Sequence, residues 1–339
     1  MHLHHSTMPG LMRTVVTGGA GYIGSVVAKQ LLAAGHDVVV LDDLSRGHAA
    51  AVPSGAAHAD VSLLDGDALA APLEGVDAVL HFAALARVAE SVEHPERYWR
   101  NNVAGTLNLL DAMRAAGIRR LVFSSTCATY GEPETVPIPE DEPTAPVNAY
   151  GASKLAVDLM IRDECRAHGL AAASLRYFNV AGASGALGED HEPETHLIPL
   201  VLQAAAGTRE HVSVFGTDYP TPDGTAVRDY IHIEDLGRAH LLAMDAIRPG
   251  VHTIYNLGNG LGFSVREVIE AARKVTGREI PVREEPRRPG DPAQLVASSE
   301  KIRAELGWEP EKDLEAMIAD AWAWRQARPD GYGSSNGAS

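Results

Sequence analysis

Across its 339 residues the chain carries 45 acidic and 29 basic side chains, a formal net charge of -16, with hydrophobic residues at 45% and charged residues at 22%. That length and apolar content support a sizeable α/β core, whereas the negative field repels the phosphates of nucleic acids and anionic membranes. Two cysteines, Cys127 and Cys165, are too few for a disulfide framework and point to a reducing, cytoplasmic setting, and no apolar run approaches the ~18 residues of a spanning helix.

The opening MHLHHSTMPG has no apolar h-region and reads, with His2, His4 and His5, as a disordered leader over residues 1–10. RTVVTGG then reads as a buried strand, GSVVAKQLLAAG as a helix closed by a glycine, and HDVVVLDD as a second strand. DAVLHFAA and RRLVFSST are further strands, with the helical NNVAGTLNLLDAMRAAG between them. A helix opening NAYGASKLAVDL and a strand AAASLRYFNVAG follow. This alternation predicts βαβ units and a doubly wound, parallel, Rossmann-type sheet. From Ala181 the texture changes to long Gly-, Pro- and Asp-rich loops, GASGALGEDHEPETH and FGTDYPTPDGTAVRDY, of a length that is usually functional in a compact domain. The helices SVREVIEAARKVTG, SEKIRAELGW and LEAMIADAWAWRQ suit a smaller mixed α/β C-terminal lobe. The expected division is residues 11–180 as the first domain, with sheet strands also from about 225–260, 181–330 mainly as the second lobe, and 331–339 as a flexible tail.

Within VVTGGAGYIGS, Gly18, Gly21 and Gly24 fall between strand and helix, where glycines let the backbone turn tightly and approach a pyrophosphate at the helix N-terminus. Asp42 ends the second strand, where a carboxylate accepts from a ribose hydroxyl and repels a 2′-phosphate, so NAD is expected in preference to NADP. Tyr150 and Lys154 stand four apart and share one helix face. A phenol with a pKa of about 10 is a poor base at neutral pH, and a neighbouring ammonium together with a cationic nicotinamide is expected to lower it. It could then take an alcohol proton while the adjacent C–H gives hydride to the cofactor, with Thr126 hydrogen-bonding the same oxygen. No metal is expected.

TGGAGYIG, SST with YGASK, and the acid at Asp42 resemble the extended short-chain dehydrogenase/reductases. HFAALARVAESVEHPERYWRNNVAGT, FSSTCATYGEP, RYFNVAGA and above all FGTDYPTPDGTAVRDYIHIEDL resemble, within them, the UDP-galactose 4-epimerase family over about residues 12–333. The resemblance implies a tightly bound NAD held by Tyr22, Ile23, Asp42, Asp43, Leu44, Ser45, Arg46 and Gly47 beyond the glycines. It implies further cofactor contacts from Asp60, Val61, Phe82, Ala83, Ala84, Leu85, Ala86, Asn101 and Ser124, with Phe178 packing near the nicotinamide. Thr126, Tyr150 and Lys154 form the implied catalytic set. Asn179, His196, Leu197, Ser213, Val214, Phe215, Arg228, Arg288, Asp291 and Leu295 are the implied lining for a UDP-sugar. Two arginines would clamp its diphosphate, since a guanidinium fork matches phosphate oxygens.

Oxidation at the sugar C4, rotation of the 4-keto sugar and re-reduction are the implied chemistry, in a homodimer paired through the helices at GTLNLLDAMRAAG and YGASKLAVDLMIRDE. The chain departs from the family pattern at Ala86, where lysine is frequent, with Arg87 beside it. Thr126 replaces a frequent serine, His196 a commoner asparagine, and Leu295 a tyrosine or a small residue that limits sugar size. The rivals are a C4 epimerase of UDP-xylose/UDP-arabinose, UDP-glucuronate or UDP-N-acetylhexosamine, and a non-catalytic dinucleotide sensor. A 4,6-dehydratase lacks its proton carriers here, because Cys127 and Ala128 follow Thr126 where that chemistry needs Asp-Glu.

Overall fold

The apolar runs of the first half become strands because a parallel sheet covered on both faces can bury every residue of a Val-, Leu- and Ala-rich segment. The computed structural model describes residues 10–288 and 291–333, so the expected leader and most of the expected tail lie outside the described residues. In chain order the first half gives β1 (Arg13–Thr17), α1 (Tyr22–Ala33), β2 (Asp37–Leu41), β3 (Ala57–Ala59) and β4 (Ala78–His81). The short helices α2 (Val88–Glu93) and α3 (Pro95–Tyr98) lead through a π-helical segment (Trp99–Ala104) into α4 (Gly105–Ala115). β5 (Arg120–Thr126), α5 (Ala149–His168) and β6 (Ala171–Tyr177) follow. The second half gives β7 (Asn179–Ala181), α6 (Leu197–Ala205), β8 (Val212–Phe215), β9 (Val227–Arg228), β10 (Tyr230–His232), α7 (Ile233–Ala246) and β11 (His252–Leu257). It ends with β12 (Phe263–Ser264), α8 (Val265–Thr276), β13 (Val282–Glu285), β14 (Gln294–Leu295), α9 (Glu300–Leu306) and α10 (Leu314–Ala327).

The main sheet is parallel with strand order β11-β6-β5-β4-β1-β2-β3. From β1 the chain runs outward to β2 and β3, then returns to β4 on the other side. The crevice beyond the carboxyl ends of β1 and β4 is therefore the topological switch point at which a doubly wound sheet binds its ligand. One apolar core packs α1 and α7 on one face, around Val16, Val27, Leu31, Leu80 and Leu236. The other packs α4 and α5 on the opposite face, around Val15, Leu109, Leu121, Phe123 and Ile161. A third core, with Val201, Val214, Val268, Ile269 and Met317, builds the smaller lobe from α6, α8 and α10. Three small sheets, β10-β7, β12-β9-β14 and β13-β8, serve that second half.

Two local departures from the sequence reading matter for the site. RYFNVAG was expected as one strand, but β6 ends at Tyr177 and β7 restarts at Asn179, pairing with β10 in a separate sheet. The chain changes partner at Phe178. NNVAGTLNLLDAMRAAG was expected as one helix, but its first turn is π-helical, and such turns are frequent at functional sites.

Candidate active site

The glycine turn after β1 is fitted so closely that side chains could not occupy it. Gly18 has φ +68, and a Cβ there would lie 2.6 Å from the Ala83 backbone nitrogen, while a Cβ at Gly24 would lie 2.2 Å from the Gly18 carbonyl oxygen. A Cβ at Gly21 would meet only the Gly18 oxygen, at 3.3 Å, so its other side is open. Gly21 caps α1 with no side-chain hydrogen bond and the first turn carries no acid, which leaves a bare positive helix end of the kind that holds a diphosphate. These residues fit a dinucleotide.

Asp42 lies at the end of β2, buried, its carboxylate accepting from Ala20 N at 3.0 Å and Leu44 N at 2.9 Å. Burial pushes its carboxyl above the usual range, against those two bonds. Leu44 is the one non-glycine residue with positive φ among those described, +57, so the loop Asp42–Gly47 holds a strained backbone beside this carboxylate. Asp43 binds Ser45 through both its backbone nitrogen, at 3.0 Å, and its hydroxyl, at 2.5 Å. Arg46 reaches Glu90 at 3.6 Å, and Arg87 meets the same carboxylate at 2.9 Å. Asp60 is exposed just after β3, and Val61 packs against the second core.

The segment Phe82–Ala86 leaves β4 at the switch point, and Phe82 stacks at a tilt on His240, centroids 4.8 Å apart. This segment is fixed by Asn102, the neighbour of the Asn101 expected from the sequence to contact the cofactor. Buried Asn102 accepts from Leu85 N at 2.8 Å and donates to Leu85 O at 3.0 Å and to Ser153 Oγ at 3.1 Å, while Asn101 donates to it at 3.1 Å. The π-helical turn decides which of the paired asparagines faces inward, and no sequence signal distinguishes them.

α5 begins where the Asn148 side chain accepts from Gly151 N at 2.8 Å and ends at left-handed Gly169, φ +70. Its first turns carry Tyr150 and Lys154 to the carboxyl end of β5, which supplies Ser124 and Thr126. Lys154 is buried and donates to the Ser124 carbonyl at 2.7 Å, with its ammonium 4.8 Å from the centre of the Phe123 ring. The Ser124 hydroxyl in turn bonds the Tyr177 hydroxyl. The sequence expectation was that the ammonium together with a cationic nicotinamide lowers the phenol's pKa. In the polypeptide alone, burial pushes Tyr150 up to about 12, and its principal opposing cause is the Thr126 hydroxyl rather than Lys154. Burial likewise pushes Lys154 down to about 7, with Asp158 acting to raise it.

A pH dependence of stability follows. From about pH 7 towards the unfolded lysine value of about 10.4, the unfolded chain holds a proton on this side chain that the native chain lacks, so stability rises with pH through that window. Denaturant unfolding at pH 7 and at about pH 9.5 should show this rise in the wild type and a smaller one in Lys154→Met, with an upper bound of about 1.4 kcal/mol per pH unit between them. Equal slopes in the two proteins would contradict a depressed Lys154.

The residues expected to line a sugar nucleotide come together in part. Arg228 in β9 pairs with Asp291 and lies in register with Leu295 of β14. Arg288 stacks on Phe215, its guanidinium 3.8 Å from the ring centre. Ser213 and Phe215 are half-buried in β8, while Val214 between them is buried in the third core. Asn179 is tied to the Asp229 carbonyl by its amide side chain at 2.9 Å. Phe178 is half-buried at the break between β6 and β7. His196 precedes α6, Leu197 is its first residue, and the His196 ring bonds Glu189 at 2.8 Å and Glu194 at 2.9 Å. Cys127 is held as a thiol, burial pushing it up to about 12.

Residues 14–258 match the model of the NAD dependent epimerase/dehydratase family. The UDP-glucose 4-epimerase of Streptomyces lividans is 59% identical over 322 residues, covering 94% of this chain and 97% of that protein. The UDP-glucose 4-epimerase of Corynebacterium glutamicum is 57% identical over 325 residues, with coverages of 94% and 97%. Among solved structures, the UDP-glucose 4-epimerase from Bifidobacterium longum in complex with NAD+ and UDP superposes with a TM-score of 0.89 at 38% identity, covering 94% of this chain and 99% of that one.

Proposed function

We propose that this chain, which belongs to the NAD dependent epimerase/dehydratase family, interconverts UDP-galactose and UDP-glucose with a resident NAD. The observation that carries this reading is the convergence of Tyr150, Lys154 and Thr126 at the carboxyl end of β5, beside a glycine turn fitted to a dinucleotide. NAD, which the glycine turn and Asp42 would hold, would supply a reversible hydride acceptor for the sugar C4 and a cationic ring that favours the phenolate. Tyr150 takes the proton of the 4-hydroxyl at its own oxygen and returns it after the 4-keto sugar has turned over. Thr126 holds that sugar oxygen in line with the phenol. Lys154, fixed by the Ser124 carbonyl and with its pKa pushed down to about 7 by burial, supplies an ammonium to the site in its protonated form.

Residues 11–180 with β11 hold the cofactor, and 181–330 mainly hold the nucleotide sugar. In that lobe Arg228 and Arg288 take the diphosphate, which reconciles an anionic ligand with a chain of net charge -16. Asn179, Leu197, Ser213, Phe215 and Leu295 enclose the remainder, with Asp291 orienting Arg228. Two copies pair across α4 and α5, which expose Leu107 and Leu159. Two free cysteines suit a cytoplasmic setting, and none of the described helices is long and apolar enough to cross a membrane.

The test is incubation of the purified protein with UDP-galactose and no added cofactor, followed by separation of the nucleotide sugars. UDP-glucose rising to a constant ratio is the expected result, because the net redox change is zero and NAD stays bound. No conversion, even with NAD supplied, would overturn the reading. Arg228→Ala should raise KM about 10–100-fold with a much smaller change in kcat, as expected for a group that binds ground and transition states alike. An unchanged KM would remove Arg228 from the diphosphate site.

A further inference from the structure

Bordering the site just described, and sharing His196 with its expected lining, the loop between β7 and α6 gathers Glu189, His191, Glu194 and His196, whose potential ligand atoms all lie within 4.8 Å of one another. The separations are 3.1 Å from Glu189 Oε1 to His191 Nδ1, 2.8 Å from Glu189 Oε1 to His196 Nδ1, 2.9 Å from Glu194 Oε1 to His196 Nδ1, and 3.9 Å from Glu194 Oε2 to His191 Nδ1. A tetrahedral ion with bonds of about 2.0–2.1 Å places its ligands about 3.3 Å apart, so taking up an ion opens the contacts of 2.8–3.1 Å by a few tenths of an ångström and draws the wider ones in.

The cluster is also enclosed and held in place. The carboxylates of Glu189 and Glu194 are 8% and 6% exposed, and among the described residues their only ion-pair partners are these two imidazoles, with no lysine or arginine. Near-buried carboxylates need a compensating charge, which either a bound cation or the two imidazoles in protonated form can supply. The backbone is also held at the N-terminal part of the cluster. His48 bonds the Asp190 carbonyl at 3.0 Å, Trp324 donates to Ala186 O at 3.0 Å, and Gly188 N donates to the Tyr332 hydroxyl at 3.1 Å. Glu194 Oε1 is oriented by Thr195 N at 2.6 Å and His196 N at 2.7 Å.

We infer that Glu189, His191, Glu194 and His196 form a binding site for one first-row divalent cation of the zinc class. Two imidazole nitrogens and two carboxylate oxygens suit such an ion, and both rings offer Nδ1. The ion clamps the loop to the start of α6 and leaves His196 Nε2 free. The rival arrangement is a metal-free network in which both imidazoles are protonated.

The test uses the full chain after chelator treatment and dialysis, titrated with Co(II) as a spectroscopic probe and then with Zn(II) as competitor. Wild type should take up one Co(II) with visible d–d absorption that Zn(II) removes, and should melt at higher temperature with Zn(II). His191→Ala, at a half-exposed ring, and the near-isosteric Glu189→Gln should each weaken binding at least about tenfold while the circular dichroism is unchanged. Absence of stoichiometric Co(II) uptake by wild type would overturn the inference in favour of the protonated network. Equal uptake by wild type and both variants would also overturn it, placing the metal elsewhere, such as on His2, His4 and His5. The readout is metal binding, so it is independent of turnover.

Discussion

Tyr150→Phe is expected to lower the turnover of UDP-galactose by about 10²–10⁴-fold while leaving fold and cofactor content in place. The substitution removes one oxygen. The ring keeps its edge-on packing against Tyr98, centroids 6.4 Å apart at 77°, and the helix keeps its Asn148 cap. Lys154 keeps its bond to the Ser124 carbonyl, so the ammonium does not move. What is lost is the group that accepts and returns the proton of the sugar 4-hydroxyl. Burial holds that phenol at about 12 within the polypeptide, so forming the phenolate depends on positive charge that arrives with the ligands. The variant should therefore bind UDP-sugar nearly as well as wild type, with the loss falling on kcat. Activity within about tenfold of wild type would assign the proton transfer to another group.

That dependence on non-local surroundings separates what could be read from the sequence from what could not. The strands and glycine turn were legible because each is a local pattern: an apolar run long enough for a buried strand, or glycines between strand and helix. Tyr150 and Lys154 could be placed on one face because helical periodicity does so. The break at Phe178 was not legible, since it arises when β7 leaves the main sheet to pair with β10, a strand some fifty residues later. Asn102 was hidden by its neighbour Asn101, because only the π-helical turn decides which one meets Leu85 and Ser153. The direction of the Tyr150 shift depended on burial, which has no local signature. GEDHEPETH read as a polar loop for the same reason: its two near-buried carboxylates lie in a segment that Trp324 and Tyr332, more than a hundred residues later, hold through Ala186 and Gly188.

Asp158 carries the second large effect, and nothing in its neighbourhood along the chain advertises it. It stands one turn after Lys154 on α5, 3% exposed, and accepts from Arg176 of β6 at 2.9 and 3.2 Å and from Ser125 of β5 at 3.2 Å. Arg176 is equally buried, its guanidinium 4.9 Å from the centre of the Tyr130 ring. Removing one member of a buried pair leaves the other as an uncompensated charge, so Asp158→Ala should destabilise the fold by about 3–5 kcal/mol. Replacing both members with apolar groups of similar volume, Asp158→Leu with Arg176→Met, should recover much of that loss, because no charge is then left buried. Urea unfolding of the two variants against wild type decides the matter: equal stabilities for the single and double variants would mean the loss comes from packing, not charge. The consequence reaches the site as well. Asp158 acts to hold the Lys154 proton against burial, so the milder Asp158→Asn should lower the lysine's pKa further and move the acid side of the kcat profile. A purely structural aspartate would change the unfolding midpoint and leave that profile where it was.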